Sequence, residues 1–142
     1  MTWKSAAVKV IIAVVAVSAL LFFSSDYLLG LLTARPDFQL SVSPTSIRLG
    51  YVGSSNTTVI TVKSVNGFDS VVKFDVKPFL GLLGVRFILN SSEVHLPANG
   101  EVSCTLKVEA TFTIAQGQYY IDVSGVAGNL TRTVRVTVEV SY

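Results

Sequence analysis

The polar and apolar positions of this chain follow two different rules, and the change falls at Pro36. From Val10 to Phe23 the run VIIAVVAVSALLFF is apolar or small throughout, and Tyr27 to Leu32 adds YLLGLL. Beyond Pro36 the apolar residues recur at every second position. Phe38, Leu40 and Val42 alternate with Asp37, Gln39 and Ser41, and Thr58, Ile60 and Val62 share one face. Val72, Phe74 and Val76 alternate with Lys73, Asp75 and Lys77. Val102, Cys104, Leu106, Val108 and Ala110 form a further face, as do Tyr119, Ile121 and Val123. Val134, Val136, Val138 and Val140 stand opposite Arg135, Thr137 and Glu139. A period of two sends successive side chains to opposite faces, so each run predicts a strand with one buried and one wet face. TSIRLG, VRFILN and EVHLP add shorter pieces. Gly50 and Gly53, Asn66-Gly67, Pro97-Ala98-Asn99-Gly100 and Gly125 to Gly128 read as the turns between them. No long helical pattern follows Leu32. The expected fold class is all-β, an antiparallel β-sandwich of about seven to nine strands behind one N-terminal apolar α-helix.

The apolar run has three readings. Taken as a helix from Val10 to Leu32 it is ~34 Å long at ~1.5 Å per residue, enough to cross a ~30 Å hydrocarbon layer with some tilt. Lys4 and Lys9 precede it and orient the N-terminus toward the cytoplasm. This reading divides the chain into a signal-anchor helix, 1–34, and an extracytoplasmic domain, 35–142, with membrane lipid as partner through residues 10–32. Asp26 is its least comfortable residue. At a bilayer centre an Asp costs roughly 2.5–3.5 kcal/mol, and less toward an end. It either reaches the interface or meets a polar group on a partner helix. The second reading is a secretory signal cut after Leu32-Thr33-Ala34, which releases an adhesion domain. In the third, WKSAAVKVII resembles a prepilin processing site, with Lys4 and Ser5 before Ala6. That resemblance implies a filament subunit of the archaeal type IV pilin kind, and it would set Lys9 and Asp26 in an apolar filament core.

Charge changes the picture of the second part. The whole chain is 50% hydrophobic and 14% charged, with a net charge of +2, against about 25% charged for an average domain. Residues 36–142 carry eight basic and eight acidic residues. This neutral balance leaves no basic field to hold nucleic acid or an anionic membrane surface. Cys104 is the one cysteine, so no intrachain disulfide supports the domain. The core must suffice.

DFQLSVSPTSIRL, SVNGFDSVVKFDV, GVRFILNSSEVHLPANGEVSCTLKV and AQGQYYIDVSGVAGNLTRTVRVTVEV together resemble the Ig-like domains of prokaryotic, especially archaeal, cell-surface proteins. The resemblance covers nearly all of 36–142. It implies an Ig-like sandwich used for surface display, spacing or adhesion, and no catalytic residue. Gly117-Gln118-Tyr119 is similar to the Gly-x-Tyr of a tyrosine corner, which implies a structural role for Tyr119. Such domains usually stand in tandem; here there is one.

The remaining chemistry is sparse. His95 is the only histidine and is expected on an outward face, whereas Cys104 is expected on a core face, so the two do not form a nucleophile–base pair. One histidine makes no metal cluster. No glycine-rich phosphate loop leads from a strand into a helix, no dense acidic loop suits calcium, and Asp69 and Asp75 read as strand-surface charges. The expectation is therefore a non-enzyme with no cofactor, no metal and no small-molecule substrate. Three Asn-x-Ser/Thr sequons, at Asn56, Asn90 and Asn129, fall at turns or strand ends and are candidate glycosylation sites. In PFLGLLGVRF, Phe79, Leu80, Leu82 and Leu83 crowd around Gly81 and Gly84. Such a loop either caps the core or offers an exposed contact. On the contact reading these four residues and Asp26 are the partner-contact candidates, and Asp at both 82 and 83 leaves the domain folded. The short tether Thr33–Asp37 would hold the sandwich near the membrane, where this loop could meet a neighbour. Donor-strand assembly ranks low, because the last strand, Thr131 to Val140, looks complete. The functional expectation is a non-catalytic, single-pass, membrane-anchored domain outside the cell, a structural or interaction subunit of the envelope or of a membrane complex. Its partners are then other membrane or envelope subunits.

Overall fold

The computed structural model describes Gly30, residues 34–79 and residues 82–142. Apart from Gly30, the apolar span 10–32 with Asp26 lies outside the described residues, and so does Leu80. Among the described residues no helix is long and apolar enough to cross a membrane. The chain divides between Arg35 and Pro36, and the unit Pro36–Tyr142 carries everything below.

The alternating runs become nine strands: β1 (Asp37–Ser43), β2 (Ser46–Leu49), β3 (Ser55–Val65), β4 (Ser70–Pro78), β5 (Val85–Leu89), β6 (Glu93–Leu96), β7 (Glu101–Ala110), β8 (Gly117–Ala127) and β9 (Leu130–Val140). They form two sheets, one ordered β1-β3-β7-β5 and the other β2-β9-β8-β4-β6. Neighbouring strands are antiparallel, except that β2 runs parallel to β9. The faces are those the period of two requires. Ile60, Val62, Val72, Leu106, Val108, Ile121, Val123, Val136 and Val138 are fully buried between the sheets, with Phe38 and Cys104. The fold is an Ig-like β-sandwich.

Two turn readings have different outcomes. Asn66 and Gly67 both have positive φ, 52° and 72°, and Phe68 N–H donates to the Val65 carbonyl at 3.2 Å. That is the type I′ geometry an Asn-Gly pair favours. The turn read over Gly125 to Gly128 is shorter than expected. Gly125 lies inside β8, paired with Arg132 and Phe74, and only Gly128 and Asn129 turn. A Cβ at Gly125 would stand 3.1 Å from Val72 Cγ1 and 3.2 Å from Phe38 Cε2. Val72 of the neighbouring strand β4 and Phe38 of the opposite sheet both close on this backbone and leave little room for a side chain.

The sheets are joined along both sides by segments that change sheet. Pro44 and Thr45 link β1 of one sheet to β2 of the other. β1 covers β3 only from Val59 to Val65, and β2 covers β9 only from Thr137 to Val140. Side chains close the seam left open: Asn56 Nδ2 donates to the Arg48 carbonyl at 3.2 Å, and Thr58 Oγ1 to the Pro44 carbonyl at 2.7 Å. Arg132 is paired with Asp37 across the same seam. On the other side Asn90–Ser92 links β5 to β6. Here Asn90 N–H donates to the Thr105 carbonyl at 3.1 Å, while Asn90 Oδ1 accepts from Thr105 N–H and from the Cys104 thiol, each at 2.9 Å. Edge groups that would otherwise template another chain are thereby occupied.

The strand directions define two ends. Pro36, the turns 66–69 and 97–100 and the turn 128–129 share the proximal end, where the chain enters the domain. Residues 50–54, Phe79, 82–84, 111–116 and 141–142 share the distal end. With β8 and β9 each 11 residues long, the ends are about 35 Å apart at ~3.3 Å per residue.

Candidate functional site

The distal end is built from segments that contain no charged side chain: GYVGS, FLGLLG, TFTIAQ and SY. Of the nine large apolar side chains exposed among the described residues, six belong to them: Tyr51, Val52, Phe79, Leu83, Phe112 and Tyr142. The other three, Val59, Val71 and Ile88, lie singly on strands. Tyr51 is 70% exposed, Phe112 72% and Leu83 82%.

These side chains are held in place by the loops beneath them. Tyr51 and Tyr142 stack with ring centroids 4.7 Å apart. The Tyr142 hydroxyl donates to the Ile114 carbonyl and Gln116 Nε2 donates to the Tyr142 carbonyl, both at 2.9 Å. The loop 50–54 is tied to β7 through Gly53 N–H to the Ala110 carbonyl and Ala110 N–H to the Ser54 carbonyl. On the other side the Gly84 carbonyl accepts from Thr111 N–H at 2.8 Å and Phe112 N–H at 3.3 Å. Gly84 has φ +84°, and a Cβ there would lie 2.9 Å from Phe112 Cβ. Only glycine allows that turn and that approach.

The partner-contact candidates of the 79–83 loop have divided fates. Leu82 is 4% exposed and belongs to the core. It is a cap, not a contact, and Asp at this position would bury an unpaired carboxylate, so the expected folding of a double Asp variant is corrected. Leu83 projects from the end. Phe79 is half exposed and lies against Arg135, whose guanidinium is 5.2 Å from its ring centroid and 5.6 Å from that of Tyr120. Within the sandwich, Phe79 and Leu82 to Gly84 stand at the end opposite Pro36. Tyr51, Val52, Phe112 and Tyr142 escaped the sequence reading. Their signal was apolar residues in turn segments without charge.

Around the distal end the charges come in pairs. Arg135 holds Asp122 through two bonds of 2.8 and 3.1 Å, Arg86 meets Glu109 at 2.9 Å, and Arg48 meets Glu139 at 3.3 Å. The bond from Arg135 keeps the Asp122 carboxyl below the usual carboxylate range, and that from Arg86 does the same for Glu109. Arg132 acts likewise on Asp37 at the proximal end.

The three sequons differ. The Asn56 carboxamide is bound to the Arg48 carbonyl and to Thr57 N–H, and its Thr58 is fully buried. Asn90 Oδ1 is the plug of the second seam. Asn129 is exposed at the tip of the β8–β9 turn, and no hydrogen bond engages its side chain. Tyr119 has the corner geometry: its hydroxyl donates to the Ala115 carbonyl at 2.9 Å. His95 sits on β6 beside Asp69 at 3.0 Å, while Cys104 is buried in the other sheet. Among the described residues no group of three or more His, Cys, Asp or Glu gathers. A trough of about 450 Å³ runs along β1 and β3 past Gln39, Ser41, Thr61 and Lys63.

No protein-family model matches the chain, and no curated protein matches it. Its likeness is to solved structures. One is a family 123 glycoside hydrolase from Clostridium perfringens, at 11% identity and TM-score 0.56, over 74% of this chain and 27% of that one. Another is a FixG-related protein from Vibrio parahaemolyticus, at 12% identity and TM-score 0.57, over 75% of this chain and 97% of that one. The chain thus spans about a quarter of the hydrolase it matches. At these identities the likeness is one of fold.

Proposed function

We propose that this chain is a non-catalytic, membrane-anchored Ig-like domain of a prokaryotic, archaeal-type cell surface, which serves as an interaction subunit of the envelope or of a membrane complex. Residues 1–34 form the anchor and 35–142 the extracytoplasmic domain. The observation that carries this reading is the segregation of exposed apolar side chains to the end opposite Pro36. Exposed apolar side chains gathered at one end suit contact with another protein. The apolar run 10–32 and its leading lysines support the anchor, with Asp26 at the interface or against a partner helix. β9 pairs with β8 along its whole length, which supports an assembly that does not borrow a strand.

The test is fractionation of cells making the full chain, with Cys104 replaced by Ala and a cysteine placed at exposed Ser41. The chain is expected to stay in membranes through alkaline carbonate and to react with a membrane-impermeant maleimide on intact cells. Release by carbonate, or labelling only after lysis, would overturn the reading. A mature N-terminus at Ala6 would favour the pilin alternative, and one at Arg35 a secreted adhesion domain.

A further inference from the structure

We infer that the distal end is a self-association surface, and that its occupant is the distal end of a second copy of this chain. The inference rests on the proposed role as an interaction subunit and names the partner.

The argument begins with area. Taking about 200 Å² per aromatic side chain and somewhat less per aliphatic one, Tyr51, Val52, Leu83, Phe112 and Tyr142 together expose roughly 600 Å² at their observed exposures. That is the upper end of what a typical monomer leaves in one patch. It approaches the ~800 Å² that each partner contributes to a standard interface. The loops beneath are fixed by backbone bonds from Gly84 to Thr111 and Phe112, and from Gly53 to Ala110, so little ordering is needed on contact.

Charge then selects the occupant. In a two-fold pairing each residue near the axis meets its own image or a close neighbour of it. A charged side chain there would face its like. The distal segments contain none, and the nearest charges, Arg48 with Glu139, Lys77 with Asp75, Arg86 with Glu109 and Arg135 with Asp122, are already paired within one copy. An apolar centre inside a rim of satisfied polar groups is the anatomy of a stable interface. A partner of different sequence would ordinarily be steered by a complementary field, and the side chains of this end offer no unpaired charge. Pairing in this way joins two copies of the sandwich end to end, with Pro36 of each at the far poles.

The unit 36–142 has its own closed core and is tested by itself, so the outcome does not depend on anchoring. Sedimentation equilibrium from about 10 µM to about 1 mM is expected to show a reversible dimer. Leu83→Ser with Phe112→Ser is expected to weaken it at least tenfold, while the control pair Val59→Ser and Val71→Ser leaves it unchanged. Circular dichroism confirms folding of each variant. Leu83→Arg alone, which would set like charges across the axis, is expected to abolish the dimer. A monomer throughout the range, a dimer insensitive to the distal variants, or flotation of the domain with phosphatidylcholine vesicles in place of dimerisation would each overturn the inference. None of these results would bear on whether the full chain is held in a membrane.

Discussion

Leu82 and Leu83 are neighbours in the chain with opposite environments: Leu82 is 4% exposed and packs in the core, while Leu83 is 82% exposed at the distal end. The loop therefore buries one leucine and exposes the next. Leu82→Ala is expected to cost about 2–5 kcal/mol, the range for emptying a buried leucine site. Leu83→Ser is expected to stay within about 0.5 kcal/mol of the parent, as surface changes do. Denaturant unfolding of residues 36–142 with each variant checks the pair, and equal losses would contradict the division.

Gly125 is closely packed from its own sheet and from the opposite one. An added methyl meets Val72 and Phe38 at 3.1 and 3.2 Å. Gly125→Ala is expected to destabilise by about 1–3 kcal/mol through overpacking. Thermal melts check this, and a loss within about 0.5 kcal/mol, as at an ordinary surface position, would contradict the close packing.

The polar fixtures have their own cost. Tyr119→Phe removes the hydroxyl that bonds the Ala115 carbonyl and is expected to cost about 0.5–1.5 kcal/mol. Ser64→Ala is expected to cost about 1–3 kcal/mol, because it leaves the Phe68 carbonyl and Asn99 N–H without their shared partner. Hydrogen exchange should locate the second loss in the turns 66–69 and 97–100, and a uniform change would contradict the assignment.

Asp37, Glu109 and Asp122 have carboxyl pKa values lowered by their arginines. A group with a lowered folded-state pKa stabilises the fold above its unfolded pKa, about 4 for Asp and Glu. That contribution is lost as pH falls through the folded pKa. The melting temperature is therefore expected to be level from about pH 9 to pH 5 and to fall below about pH 4. Asp122→Asn should flatten part of that acid slope, and an unchanged slope would count against the Arg135 pair as its source.

Asn129 is the sequon whose carboxamide is free at a turn tip, whereas Asn56 and Asn90 hold the two seams. Intact-mass analysis of the chain from its own host is expected to show a glycan that Asn129→Gln removes. A glycan on Asn56 in preference to Asn129 would contradict the ranking.

The sandwich was legible because alternation is strict. Val134 to Val140 and Val102 to Ala110 announce their buried faces residue by residue. What alternation does not carry is which strands share a sheet. The switches at Pro44–Thr45 and Asn90–Ser92 depend on long-range pairing, so the seam roles of Asn56, Asn90 and Arg132 were invisible. Gly125 read as a turn because its proximity to Gly128 is local and its contact with Val72 is not. The distal end was half legible for the same reason. Phe79 to Leu83 stand together in sequence, but Tyr51, Phe112 and Tyr142 come from three segments that only the topology brings to one end.

The central claim is that an anchored domain makes its contacts through the end opposite Pro36. Photo-cross-linking of the full chain in its own membranes tests it most directly, with the photoreactive residue placed at Leu83 in one sample and at Asn129, on the proximal end, in another. The account predicts cross-links to protein from position 83, with a mass that matches a second copy, and none from position 129. Cross-links from position 129 with none from position 83, or a chain recovered wholly from the soluble fraction, would contradict it.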